Sequence, residues 1–152
     1  FQTINYQRER GRRLRDHSDK DVYKKMDAIL IPSEKKLFDL LTNNLNNKYT
    51  AIPQVNLISF IQVDNTFENL YEEIETLRKF TVDYLIIDKE TTEPKAVVEL
   101  DGKSHEGFSK KNRDHYLDQV CSKSNLPIIH IKVGEDFEQS IENINNTLNN
   151  IW

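Results

Sequence analysis

The segment from Val82 to His105, VDYLIIDKETTEPKAVVELDGKSH, sets acidic residues inside two strongly apolar runs. A buried carboxylate costs free energy unless something pairs with it, so this placement needs a chemical reason. Asp83 to Asp88 and Ala96 to Asp101 are rich in Val, Ile, Leu and Tyr, while Lys89 to Lys95 carries Thr, Glu and Pro. That pattern predicts two strands joined by a turn. With the turn centred near Thr91, Asp83 faces Glu99, Leu85 faces Val97 and Ile87 faces Lys95. Alternation then puts Asp83, Glu99 and Asp101 on one face, and Val98 and Leu100 on the other. Cross-strand neighbours have Cβ atoms roughly 4.5–5.5 Å apart, close enough for two carboxylates to share one divalent cation, which would also relieve their repulsion. The plain alternative is a solvated sheet face, and a one-residue slip or a bulge would turn one carboxylate away. Glu99-Leu100-Asp101 runs straight into Gly102, however, with Lys103 and His105 in the same turn. Acid, cation and imidazole therefore fall within one short loop.

Such a set suits phosphodiester hydrolysis, which needs a positioned water, neutralisation of charge on the phosphoryl oxygens and help for the leaving oxygen. Mg²⁺ or Mn²⁺ held by Asp83 and Glu99 would supply the first two. Lys103 is the candidate cation beside it. His105, whose side chain titrates near neutral pH, is the candidate general acid or base, with a structural hydrogen bond as its alternative role. Asp101 is either a third ligand or an orienting partner for Lys103. Arg113 can reach a phosphate, Asp114 can orient Arg113 or His105, and Lys103, Lys110, Lys111 and Arg113 make a local basic rim.

Other chemistries find little support. One cysteine and four scattered histidines, His17, His105, His115 and His130, have no zinc-ligand spacing. With four glycines there is no Gly-rich phosphate loop, and no nucleophile elbow for a serine hydrolase is present.

Around this segment the chain predicts one αβββαβα domain. Ile29 to Pro32 leads into a helix that Ser33 can cap, with Leu37, Leu40, Leu41 and Leu45 at helical spacing and Asn43, Asn44, Asn46 and Asn47 at its end. Glu34 in its first turn is favoured by the helix dipole alone. Thr50 to Ile58 reads as the first strand. Phe67, Leu70, Tyr71, Ile74 and Leu77 predict an inserted helix before the Asp83 strand. Beyond His105, Ser109 can cap a helix through Lys123, with Tyr116, Leu117, Val120 and Cys121 facing inward. Pro127 to Lys132 then reads as a buried strand, parallel to the Glu99 strand because a helix separates the two. Phe137 to Ile151 repeats Ile141, Ile144, Leu148 and Ile151 as one apolar stripe, read as core rather than partner surface.

The 152 residues, 37% apolar and 30% charged, suit a single domain with a real core. No apolar run approaches a membrane span. The lone Cys121 cannot form an internal disulfide, and a reducing, cytoplasmic setting is expected. Because the chain begins at Phe1 rather than methionine, a segment of a longer protein is expected, and an upstream domain or anchor is compatible with it. Residues 1–25 hold eight Lys or Arg against four Asp or Glu, whereas the remainder holds 13 against 21. The chain thus divides into a basic arm, residues 1–28, and an acidic domain, residues 29–152. Arg8, Arg10, Arg12, Arg13 and Arg15 could lie along phosphates; the alternative is a solvated tail or a helix laced with ion pairs. An acidic domain argues against strong nonspecific DNA binding.

Asp83, the hairpin, Glu99-Leu100-Asp101-Gly102-Lys103-Ser104-His105, Arg113-Asp114 and Leu126-Pro127-Ile128-Ile129 together resemble the PD-(D/E)XK nuclease superfamily. Within it the chain is most similar to bacterial domains related to the very-short-patch repair endonucleases, over about residues 31–132. The resemblance implies a restriction-endonuclease-like αβββαβ core, with a mixed central sheet flanked by helices, a C-terminal helix and the basic N-terminal arm. It implies a Mg²⁺- or Mn²⁺-dependent endonuclease acting on DNA, or on RNA, in repair, restriction or mobile-element biology. It also singles out Glu34 as a metal or water-holding ligand and Gln54 as a holder of the attacking water. The superfamily motif has lysine two residues after the metal-binding Glu, where this chain has Asp101. Lys103, His105 and a residue of the following helix are the alternatives for that role. Asp101 and the acidic domain also favour a second reading, a nuclease fold without cleavage that serves as a nucleic-acid or protein interaction module. A third is a domain whose arm contacts an acidic protein or membrane surface. A homodimer, or fusion to another domain, is compatible with all three.

Overall fold

The apolar runs on either side of the Asp88 turn pair as the central hairpin in a computed structural model, which describes residues 15–102 and 108–151. In chain order the elements are α1 (Pro32–Asn44), β1 (Tyr49–Asn56), a short 3-10 helix (Leu57–Ser59), α2 (Leu70–Leu77), β2 (Thr81–Asp88), β3 (Pro94–Asp101), α3 (Phe108–Lys123), β4 (Ile128–Lys132) and α4 (Phe137–Asn149). The architecture is α/β, a four-stranded mixed sheet in the order β1-β2-β3-β4 flanked by helices. The β1–β2 and β2–β3 pairs are antiparallel and β3–β4 is parallel, as expected of strands joined through a helix.

Alternation along β2 and β3 divides the core between the two faces of the sheet. Tyr84, Ile86, Ala96 and Val98 point to one face, where Leu37 and Leu41 of α1 and Ile141, Ile144 and Leu148 of α4 cover them. The α4 stripe is therefore core. Leu85 and Val97 point to the other face, under Leu117 and Cys121 of α3 and Leu77 of α2. Burying each of these aliphatic side chains contributes about 1.5–3 kcal/mol. The Tyr84 hydroxyl, deep in the first cluster, donates to the Glu34 carbonyl and ties α1 to the sheet. Among the described residues no helix is long and apolar enough to cross a membrane.

Local chemistry moved several boundaries away from expectation. Ser33 does not cap α1: the helix starts at Pro32, which needs no amide partner at that position, and the Ile31 amide donates to the Glu34 carboxylate at 3.0 Å. Ser109 likewise falls inside α3, which starts at Phe108. β1 ends at Asn56, whose side chain accepts from the Ile58 amide and starts the 3-10 helix. Phe67 precedes α2 and is exposed. β4 is not a fully buried strand: it is an edge of the sheet, and of its residues Ile131 alone is fully buried. The hairpin register holds at Leu85–Val97, but Ile87 pairs with Pro94 rather than Lys95. The shift comes from the turn. Asp88 accepts from the Glu90 and Thr91 amides at 2.8 and 3.0 Å, and Thr92 adopts a positive φ of 63°, which tightens the loop by one residue.

Candidate functional site

The bulge lies at the turn end of the hairpin, so it leaves the register at the opposite end intact. The ladder runs through Leu85–Val97 and Tyr84–Val98, which sets Asp83 opposite Glu99. At that point side chains take over from backbone pairing. The Asp83 amide donates to Glu99 Oε2 at 3.1 Å, and the Leu100 amide donates to Asp83 Oδ2 at 2.8 Å. Each carboxylate is thereby fixed by an amide of the opposite strand, on the sheet face that α3 covers.

Glu99 is 3% exposed. Burial raises its carboxyl well above the ordinary carboxylate range, and contact with the Asp83 carboxylate raises it further. Arg113 of α3 opposes this: its Nη2 donates to Glu99 Oε1 at 3.3 Å and to the Thr81 carbonyl at 3.0 Å. One guanidinium does not offset burial beside a second carboxylate, so Glu99 favours its protonated form. Arg113 Nη1 also donates to Asp114 Oδ1 at 3.4 Å. Arg113→Ala removes the cation facing Glu99. The expected result is a loss of about 1–2 kcal/mol of stability at neutral pH, less than for a fully buried pair because the Arg113 side chain is 36% exposed. Urea unfolding measures it, and an unchanged midpoint would refute it.

Asp101 shares this face but turns toward β4. His130, whose backbone is paired with Glu99, brings Nδ1 to 3.3 Å from Asp101 Oδ2 and Nε2 to 3.0 Å from Asp118 Oδ1 on α3. Burial works against charge on the imidazole, but the Asp118 hydrogen bond and the charges of Asp101 and Asp118 outweigh it and raise its pKa. Sequence reasoning singled out neither His130 nor Asp118. The available signal was His130 itself, a polar residue in the apolar run Pro127-Ile128-Ile129-His130-Ile131 at the position a parallel β4 sets beside Glu99.

The remaining candidates separate. Glu34 sits on α1, whose buried residues pack against the other sheet face, and its carboxylate accepts from Ile31. Gln54 is exposed on the edge strand with φ 55°, at the step between Pro53–Tyr84 and Val55–Val82 where the ladder passes Asp83. Lys110 and Lys111 lie in the first turn of α3, just ahead of Arg113. Lys103 and His105 in the loop, and Arg8, Arg10, Arg12 and Arg13 in the arm, lie outside the described residues. An open groove of about 1010 Å³, lined by Ile52, Val55, Phe60, Leu85, Ile87 and Leu126 among others, runs along the same face beside the carboxylates rather than over them.

Among the described residues no group of three or more His, Cys, Asp or Glu side chains is arranged to hold a metal ion. The donor set at Asp83 and Glu99 nevertheless suits a hard divalent cation. It offers two carboxylates on adjacent strands, with Glu99 buried and faced by one guanidinium. Mg²⁺ is commonly held by one or two carboxylates, with water and substrate phosphate completing its shell.

Residues 26–149 match a family model described as a protein of unknown function, DUF2726. No curated protein and no solved structure matches the chain.

Proposed function

Because the chain belongs to the DUF2726 family, whose function is unknown, its chemistry must be argued from its own residues, and we propose that it is a divalent-metal-dependent endonuclease on a restriction-endonuclease-like core. The substrate is a phosphodiester of DNA, in preference to RNA, in repair, restriction or mobile-element biology. One observation carries this reading: Asp83 and Glu99 meet across the hairpin, each held by the other strand's amide. Two carboxylates crowded together in a buried setting are costly to ionise together, and a bound cation gives that cost a use.

Asp83 and Glu99 would hold Mg²⁺ or Mn²⁺, which supplies charge neutralisation at the phosphoryl oxygens and activates the attacking water. The chain's own residues supply the remainder. The amides of Asp83 and Leu100 keep both carboxylates oriented before substrate arrives, so little reorganisation is left for the reaction. Arg113, already directed at Glu99, is the described cation closest to that charge, and with Lys110 and Lys111 it forms the start of a phosphate-facing rim. In this reading Lys103 adds to the rim and His105 transfers a proton, as the resemblance implies.

The reading is tested by incubating supercoiled plasmid with the chain and Mg²⁺ or Mn²⁺, then repeating with EDTA. Nicking that requires the cation is the expected result. No nicking, together with no heat of Mn²⁺ binding in calorimetry, would sink the proposal. The Arg113–Glu99 contact favours a second reading, because a guanidinium can partly neutralise the carboxylate pair without any metal. That reading is a nuclease fold used as an interaction module, and a folded chain that binds nucleic acid but no Mn²⁺ would establish it.

A further inference from the structure

We propose that the open apolar groove on the α3 face of the sheet takes the segment ahead of α1 from a second copy of this chain, two copies exchanging these segments reciprocally. The inference stands apart from the endonuclease reading. Residues 15–31 form neither helix nor strand, and Val22, Tyr23, Met26, Ile29 and Ile31 within them are each more than half exposed. Single apolar side chains scattered over a surface need no explanation, but five on one short segment mark a contact. The groove is the complementary feature. Leu85 and Ile87 of β2 form its floor, with Ile52 of β1, Phe60 past the 3-10 helix and Leu126 ahead of β4 around it. No residue of the segment 15–31 lines it.

The segment does not reach the groove of its own chain. Ile31 adjoins α1, and three residues on, the Glu34 carbonyl is held by the Tyr84 hydroxyl on the sheet face opposite the groove. Carrying Ile29 and Ile31 round to the other face would unwind the first turn of α1. A second copy has no such tether, and a two-fold arrangement uses the same segment and groove on both copies, closing at two. The dimensions agree. Fully extended, Met26 to Ile31 spans at most about 17 Å, and β1 and β4 lie three strand spacings, about 14 Å, apart. Charge points the same way. Residues 1–25 hold eight Lys or Arg against four Asp or Glu and the remainder 13 against 21, with Lys24 and Lys25 directly ahead of Met26. The basic arm of one copy is thereby drawn to the acidic body of the other. Because the groove runs beside Asp83 and Glu99 rather than over them, its occupant leaves the carboxylates open.

Sedimentation equilibrium of the whole chain across the micromolar range tests this, on the wild type, on Met26→Lys/Ile29→Lys in the segment and on Ile52→Lys in the groove. All three positions are exposed in the single copy, and circular dichroism checks that each variant is folded. The segment variant touches no helix or strand, so it stays informative even if the groove variant does not fold. The wild type is expected to approach twice the mass of one chain, and each variant to weaken self-association by about 30-fold or more. The segment variant keeps an intact groove and the groove variant an intact segment, so an equimolar mixture of the two is expected to regain a dimer through one contact. A wild type that stays monomeric overturns the proposal, whether the groove is then empty, filled by the chain's own arm or reserved for a different partner. So does a dimer that either folded variant leaves unchanged, or a mixture of folded variants that stays monomeric.

Discussion

The double variant Asp83→Asn/Glu99→Gln is expected to fold, to bind no Mn²⁺ detectable by calorimetry and to lose plasmid nicking. The loss should exceed the roughly 10–100-fold typical of an outer partner, because both proposed ligands go at once. Folding should survive because each amide side chain keeps an oxygen that can accept from the opposite strand, at the places where Asp83 and Glu99 accept now. Their mutual repulsion disappears at the same time. The wild type at Mn²⁺ concentrations about 100 times its Kd should gain about 2.7 kcal/mol of stability, and the variant none. A variant that is unfolded in circular dichroism would show the pair to be structural. One that is folded and still nicks DNA would place the chemistry elsewhere on the molecule.

The second large effect is a pH dependence without metal. Glu99 has a folded-state pKa above its unfolded value, which is about 4.3 for an ordinary Glu. The folded state therefore holds the proton more tightly. The contribution of Glu99 to stability is complete below about pH 4.3 and is lost as pH rises through its raised folded value. Above that value the full penalty of a buried, crowded carboxylate remains. The single variant Glu99→Gln keeps the hydrogen-bonding pattern of the protonated acid and has nothing to titrate. Its stability relative to the wild type should climb with pH from about 4.3 upward, reaching on the order of a few kcal/mol in alkaline solution. Loss of the Arg113 contact subtracts a part of that gain. Urea midpoints of both proteins across the pH range measure it. Parallel curves would mean that Glu99 titrates normally in the folded chain.

The pairing of Asp83 with Glu99 was legible because two long apolar runs fix the register through their alternation, and a slip would have exposed the core face. The pair at Ile87 was not legible, because Asp88 bonding to two amides of its own turn decides it. That is a local competition which composition alone does not resolve. The helix starts failed for a related reason: Ser33 and Ser109 are good caps by type, yet Pro32 and Phe108 already belong to the helices. Arg113 was readable as a phosphate contact, but its approach to Glu99 depends on how α3 crosses the sheet. His130 and Asp118 lie 12 residues apart on different elements, and only the parallel register with that crossing brings them together. Glu34 is drawn from the site by its own helix, whose free amides make the nearest demand on a carboxylate.

The hairpin closes its last step with side chains in place of backbone carbonyls. The Asp83 and Leu100 amides therefore have partners whose basicity changes with charge, unlike the fixed acceptors of an ordinary ladder. Whatever takes up the oxygens of Glu99 or Asp83, a proton or a cation, also competes for the bonds that keep those two strand ends from fraying. Occupancy at the site is in this way written into the solvent exchange of two main-chain hydrogens, and the end of the sheet becomes a gauge of what the carboxylates hold.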